Sequence, residues 1–555
     1  MFASTKTTTW RFAARRHLWL AIAGAWAGGA CSSADRTSNE NAEPVQTTAL
    51  AATTWAKGSW VKIANYPLGS TSGPIHLQLL MDGTVLANDS GSVHNAWRRF
   101  VPSPTGGYKA GTWTTTPVFS NYGRQFYASG ILADGRVFAG GGEDAWDSNN
   151  NPITSRNTEG SDPDNSHCEL FDPRANGGAG VWTNVPDFPT PTLGDGMLAP
   201  LPDGSGRLLV APAWSTTSYI FDPNNLSNPW TNSKAIASTD GNHFDEGSLA
   251  LMQNNNIFFG QTTGWVYDTS NNNTGWTTLT TPPGYKNPFD AVNLKEGAPA
   301  LTLYDGTVFI SSVTTNNALF TPSSSNPLGG TLKNVAVTPR TGGRMDENDQ
   351  VVLANGNVFA SVIGPSFNGG YKFYEWEPPP ANQFHDVSAS GPNYAASNLV
   401  ATPLPDGSVL VANSGSNVVY IYTPQNVPFA NFGQPAVSEL TGPINGIYTL
   451  TGTTLNGLTN GANRDDEGQN WTSFPIISLQ SGTTNVYASV LSVSTTSIAP
   501  NTFGRVYFKL PTGAPSGALT LKVAASGLPS SNSLSLNNNG NPVVAGPPQR
   551  GFLVN

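Results

Sequence analysis

The feature that most restricts the fold is a short pattern that returns along the chain: an apolar strand, an Asp-Gly or Asn-Gly turn, and a second apolar strand. It reads "LMDGTVL" (80–86), "LADGRVF" (132–138), "LPDGSGRLLV" (201–210), "LMQNNNIFF" (251–259), "LYDGTVF" (303–309), "LANGNVF" (353–359) and "LPDGSVL" (404–410). Its turn residues Gly83, Gly135, Gly204, Asn255, Gly306, Gly356 and Gly407 are separated by 52, 69, 51, 51, 50 and 51 positions. A fixed period marks a repeat architecture and outranks any isolated motif. One stretch, "LADGRVFAGGGE" (132–143), has the glycines of a phosphate-cradling loop, but no helical periodicity follows it. It is therefore a repeat copy and not a nucleotide site.

Each copy is expected to be a β-hairpin with a two-residue turn whose residues tolerate positive φ. Downstream of most copies runs an aromatic strand that ends in a turn, as in "ELFDP" (169–173), "YIFDP" (219–223), "WVYD" (265–268), "ALFTP" (318–322) and "YIYTP" (420–424). Four short strands per ~50 residues is the content of a propeller blade. The segment "GSWVKIANYP" (58–67) looks like the last strand of a blade, yet it precedes the first hairpin, and the final copy lacks such a strand. An N-terminal strand that completes the last blade would close the ring and remove its open edges.

Composition agrees with an all-β exported chain: charged residues are 11%, and Gly and Pro number 59 and 43. The net charge of −9, without a basic stripe, excludes a nucleic-acid partner. Beyond residue 430, "VSELTGPINGIYTLTGTTLNGL" and "RVYFKLPTGAPSGALTLKVAASGL" alternate with turns every 8–12 residues, the pattern of an immunoglobulin-like sandwich over 431–555.

Residues 1–30 read as a signal peptide, with Lys6, Arg11, Arg15 and Arg16 before the apolar run "LWLAIAGAWAGGA" (18–30). Cleavage after "AWA" (25–27) or before Cys31 in the lipobox-like "GGAC" are the two routes, with Gly28 standing where Leu is usual. Lipid on Cys31, followed by a polar tether over 31–57, would attach the chain to a membrane as an outer-membrane or cell-surface lipoprotein; otherwise it is secreted. Cys168 is then the remaining thiol, so no intrachain disulfide is available, and it is read as a small buried residue. A monomer is expected.

The hairpin, glycine run and aromatic "FDP" strand together resemble the kelch repeat, and the whole chain resembles bacterial kelch proteins related to galactose oxidase. That resemblance implies an all-β fold, a seven-bladed kelch-type β-propeller over 58–430 followed by an immunoglobulin-like β-sandwich. In the oxidase, copper is held by two tyrosines and two histidines, one tyrosine being crosslinked to a cysteine. Here the adjacent Tyr-His pair falls on Ser397 and Asn398, the crosslinked tyrosine on Phe126 beside Tyr127, and the cysteine on His76; no His follows His385. The resemblance thus carries the fold without the copper site.

The same face is expected to be acidic. Asp195, Glu246, Glu296 and Glu347 stand nine or ten residues before their turns, so successive blades would bring carboxylates toward one axis. His243, Arg344 and Arg124 are expected nearby, with Asp245, Asp346 and Lys295. Two carboxylates at ~8 Å repel by about 2 kcal/mol at an effective dielectric of ~20, which calls for cationic side chains, a divalent cation, a cationic ligand or raised carboxylate pKa values. The alternative is that these acids cap strand starts. No bound cofactor is otherwise implied. Asn/Asp-rich residues 144–167 form an insertion suited to a surface loop, and "NRDDEG" (463–468) is a solvated turn.

Three functions fit these residues. One is a non-catalytic binding module for a glycan or a surface protein, with Trp and Tyr supplying flat apolar faces. Another is a polysaccharide lyase using His76 or His243 with Tyr127 or Tyr122 and Arg124. The third is a divergent copper oxidase. The binding module is favoured.

Overall fold

The structure, a computed structural model, describes residues 57–91, 93–153, 165–191, 193–213, 215–237, 244, 247–261, 263–270, 275–289, 299–345, 348–365, 369–395, 398–425, 433–464 and 471–538. Among these residues there is no α-helix, and the chain is all-β.

Four-stranded antiparallel sheets follow one another in chain order, each laid down as a meander. In the third-laid sheet, for example, Met197–Pro200, Leu208–Ala211, Thr217–Phe221 and Trp230–Ala235 pair in succession. The first strand of each sheet lies innermost. Ala128–Ile131 neighbours Met197–Pro200, and the contact passes on through Ser248–Leu251, Ala300–Thr302, Gln350–Val352 and Leu399–Pro403 to Pro74–Leu79. His76 Nε2 and Ser129 Oγ, 3.0 Å apart, join that strand back to Ala128–Ile131 and complete the ring.

The N-terminal strand Ser59–Lys62 pairs antiparallel with Ser416–Thr423, Trp60 opposite Tyr422, so it forms the outer strand of the last sheet. The indole of Trp60 donates to Val387 O at 2.7 Å and packs on Phe373 and Tyr422. Closure by the first strand is what the misplaced segment at 58–67 anticipates, and it covers the edge that Ser416–Thr423 would otherwise expose.

The repeated hairpin differs from the expected two-residue turn. Leu80 N–H donates to Thr84 O and Gly83 N–H to Leu80 O, which leaves three residues in the loop. Gly83 has φ +76°, whereas Asp82 is not left-handed; this is a type I turn closed by a glycine bulge. The Asp serves differently, its Oδ1 accepting the N–H two residues on: Asp82 from Thr84, Asp134 from Arg136, Asp305 from Thr307 and Asp406 from Ser408. Asn254 and Asn355 do the same. This side-chain mimicry of a backbone turn explains why Asp or Asn recurs at one position and Gly, or Asn255 at φ +66°, at the next.

Apolar side chains fill the spaces between adjacent sheets. Trp97, Tyr127, Phe171 and Trp182 lie between the first two, and Phe244, Phe259, Trp265 and Trp276 contribute where the next pair meets.

Beyond residue 433, the strands Ala436–Ile444, Ile447–Thr453, Phe503–Lys509 and Ser489–Val493 form one sheet. Ile476–Ser481, Ala518–Ala525 and their neighbours form another. Both contribute to one core that includes Leu450, Ile477, Phe508 and Leu521. Their loops meet the hairpin-turn end of the ring: Val493 N–H donates to Ala133 O at 2.8 Å, and Ser497 Oγ to Asn255 Oδ1 at 2.6 Å. The opposite end, where the inner strands begin, faces away from these sheets.

A segment of this C-terminal part also enters the ring. Ala462–Asn463 pairs with Gln350–Val351 and adds a strand to the innermost edge of that sheet. Asn463 Nδ2 donates to Ser248 Oγ, Leu249 O and Ala300 O at 2.8, 3.0 and 2.8 Å, while Asn460 Oδ1 accepts Thr302 N–H at 3.0 Å. Gln78 Nε2 reaches Trp471 O at 3.3 Å. The axial opening inferred from the repeats is thus threaded by a finger.

Candidate functional site

The residues that precede the inner strands converge on the mouth at the end away from the C-terminal sheets. Phe126 and Asp195 stand just before two consecutive inner strands, and both are left-handed, at φ +53° and +45°. Phe126 O accepts the N–H of Asp195 and of Glu143, each at 3.1 Å, and Tyr127 bridges Gly194. Left-handed backbone at non-glycine residues costs of order 1–3 kcal/mol and persists where its surroundings impose it, a condition often met at functional sites. The carboxylate-bearing Asp195 is buried beside this turn.

Beneath it lies a polar group on the ring wall. His76 Nε2 pairs with Ser129 Oγ at 3.0 Å, and the Tyr127 ring packs edge-on at 5.5 Å. Burial, and then the charge of Arg464 from the finger, hold the His76 imidazole down to about 3, so it is neutral near pH 7. Arg464 is itself buried. The solvated turn expected at 463–468 is corrected at its first two residues: Asn463 and Arg464 are buried, and the finger has no apolar period that would have assigned them to the ring.

Arg124, expected near the mouth, turns its guanidinium into the sheet and forms a fully buried ion pair with Glu169. It also donates to His167 O at 3.1 Å, and Glu169 accepts Asn121 N–H at 2.8 Å. Arg344 is buried and exchanges backbone hydrogen bonds with Ile363 at 3.1 and 3.0 Å. Cys168 is buried, which raises its thiol pKa, as expected of a packing residue. His243, Glu246, Glu296, Glu347, Asp245, Lys295 and Asp346 lie outside the described residues, as do Cys31, Ser397 and 465–468 of "NRDDEG".

Among the positions compared with the oxidase, Phe126 carries no donor atom, Asn398 offers an amide, and Nε2 of His76, at the position of the crosslinking cysteine, is engaged by Ser129 Oγ.

Next to Phe126 runs the short strand Gly123–Gln125, paired with Asp144–Trp146. Two ring stacks flank it. His94 lies parallel on Trp146, centroids 3.5 Å apart, and Tyr122 parallel on His167 at 4.0 Å. All four residues are half-buried.

These sheets define an all-β fold of the propeller type. No protein-family model matches the chain, and no curated protein does. Among solved structures it is similar to a fungal alcohol oxidase of the AA5 family in complex with copper: 12% identity, 87% of this chain and 99% of that one, TM-score 0.48. It is also similar to YjhT, at 12% identity over 65% of this chain and 96% of that one, TM-score 0.34. The Dos1 propeller matches at 12% identity over 63% of this chain and 78% of that one, TM-score 0.37. At such identities the likeness concerns the fold alone.

Proposed function

We propose that this chain is an exported, lipid-anchored binding module in which a seven-bladed kelch-type propeller, followed by an immunoglobulin-like sandwich, presents the mouth of the ring to a glycan. The observation that carries this reading is the pair of left-handed residues Phe126 and Asp195 on consecutive inner strands, holding a buried carboxylate at that mouth. A carboxylate so fixed accepts hydrogen bonds from sugar hydroxyls without a further ordering cost. A non-catalytic role also suits His76: an imidazole held near 3 is a weak proton acceptor, poorly matched to a general base working near neutrality.

The test is a screen of the full chain against arrayed glycans, repeated with Asp195→Asn. Binding by the parent that falls at least tenfold in the variant, with unchanged melting, is the expected outcome. Unsaturated products absorbing in the ultraviolet would instead establish a lyase, and glycan binding indifferent to Asp195→Asn would move the site elsewhere. Metal analysis in parallel reads out a divalent cation at the acidic positions.

A further inference from the structure

The mouth supplies polar contacts, whereas a sugar ring also needs a flat apolar face against its C–H bonds. We infer that the strand Gly123–Gln125 carries such a face, made by the His94–Trp146 and Tyr122–His167 stacks, and that it takes an uncharged hexose unit of the glycan held at the mouth. This assignment rests on the glycan reading above.

Three observations support it. The backbone that carries the first stack is held before any ligand arrives: Asn150 Oδ1 accepts the main-chain N–H of His94 at 3.1 Å, and Asn88 Nδ2 donates to the main-chain carbonyl of His94 at 3.2 Å. Asn150 itself belongs to a loop braced by Asp147, whose Oδ1 accepts Asn149 and Asn151 N–H at 2.9 and 2.8 Å. In the other stack, His167 Nδ1 is paired with Asp187 Oδ1 at 3.1 Å, and its carbonyl is held by Arg124. Fixed aromatic faces lose little freedom on binding.

Second, Trp146 and Tyr122 are half-buried, so part of each side chain stays open to solvent. Each stacks on a histidine that is half-buried as well. His94 Nδ1 is buried from water and has no hydrogen-bond partner among the described residues.

Third, the charge around the platform selects against acidic sugars. Exposed Asp144 and Asp187 and half-buried Asp147 flank it, while the Arg124 guanidinium is already paired with Glu169. A uronate or sulfated unit would meet like charge, and an uncharged ring would not.

The experiment measures affinity of the full chain for a neutral β-glucan, a neutral galactan and a polygalacturonate, with Trp146→Ala, Trp146→Phe, Tyr122→Ala and Asp195→Asn beside the parent. Expected is binding of a neutral polymer that weakens at least tenfold in Trp146→Ala, several-fold in Tyr122→Ala, and less than threefold in Trp146→Phe, all melting like the parent. Parental affinity in both alanine variants, with loss in Asp195→Asn, overturns the platform and leaves the mouth reading standing. Preference of the parent for polygalacturonate overturns the assignment of an uncharged unit. Absence of binding to every arrayed glycan overturns the glycan reading and this inference with it.

Discussion

Replacing Arg124 with methionine tests whether this residue serves the ligand or the sheet. The guanidinium is fully buried, and so is its partner Glu169. Methionine would leave Glu169 Oε1 with the two donors of Asn121, the N–H at 2.8 Å and Nδ2 at 3.0 Å, and Oε2 without its guanidinium. It would also remove the donor to His167 O, which holds one of the aromatic stacks. Removing one member of a buried pair costs about 3–5 kcal/mol, because the survivor keeps its desolvation without its counter-charge. Unfolding entropy of ~2.1 cal/mol/K per residue, over roughly 500 residues, gives about 1 kcal/mol per degree, so melting should fall by about 3–5 °C. The double variant Arg124→Met with Glu169→Leu should recover much of the loss, since no unpaired charge remains. Calorimetry on the four proteins of the cycle measures both quantities. If Arg124→Met melts within 1 °C of the parent while glycan binding disappears, Arg124 is a ligand-binding residue and its assignment to the sheet interior is wrong.

Two further outcomes follow from the same coordinates. The imidazole of His76 is held down to about 3 in the folded chain, against ~6.5 when unfolded, so the unfolded state takes up more protons between those values. Stability therefore falls as pH drops below ~6.5 and stops falling near 3; at pH 5 the loss from this group is about 2 kcal/mol. His76→Gln should flatten that part of the melting-versus-pH curve, and an unchanged slope would refute the assignment. Trp60→Ala removes a ring packed on Phe373 and Tyr422 together with the 2.7 Å bond to Val387 O, and should cost about 3–4 kcal/mol, read by denaturant unfolding. A loss below ~1 kcal/mol would mean that Ser59–Lys62 does not hold the ring shut.

The ring was legible because the forces that make it are local. An Asp whose side chain caps its own turn, followed by a residue that tolerates left-handed backbone, must recur wherever the hairpin recurs, so Asp82 with Gly83 and Asp406 with Gly407 are visible without a structure. The turn type was misread for a related reason: Asp-Gly suits both a two-residue turn and a three-residue turn with a bulge, and only the pairing of Leu80 with Thr84 separates them. The finger was illegible because its contacts are polar and non-local. Asn460 and Asn463 look like loop residues, yet their side chains satisfy backbone groups on inner strands 158 to 214 positions away. The same asymmetry governs the site. Repeat spacing brings Asp195 near the axis, but it cannot tell that Arg124 turns inward to Glu169, or that Tyr122 and Trp146 stack on histidines from other loops. A propeller repeats its scaffold and varies its loops, so what recurs in the sequence reports the architecture. Recognition must then be sought where the repeat is interrupted, and the 69-residue interval between Gly135 and Gly204, which contains Trp146 and His167, is where this chain departs most from its own period.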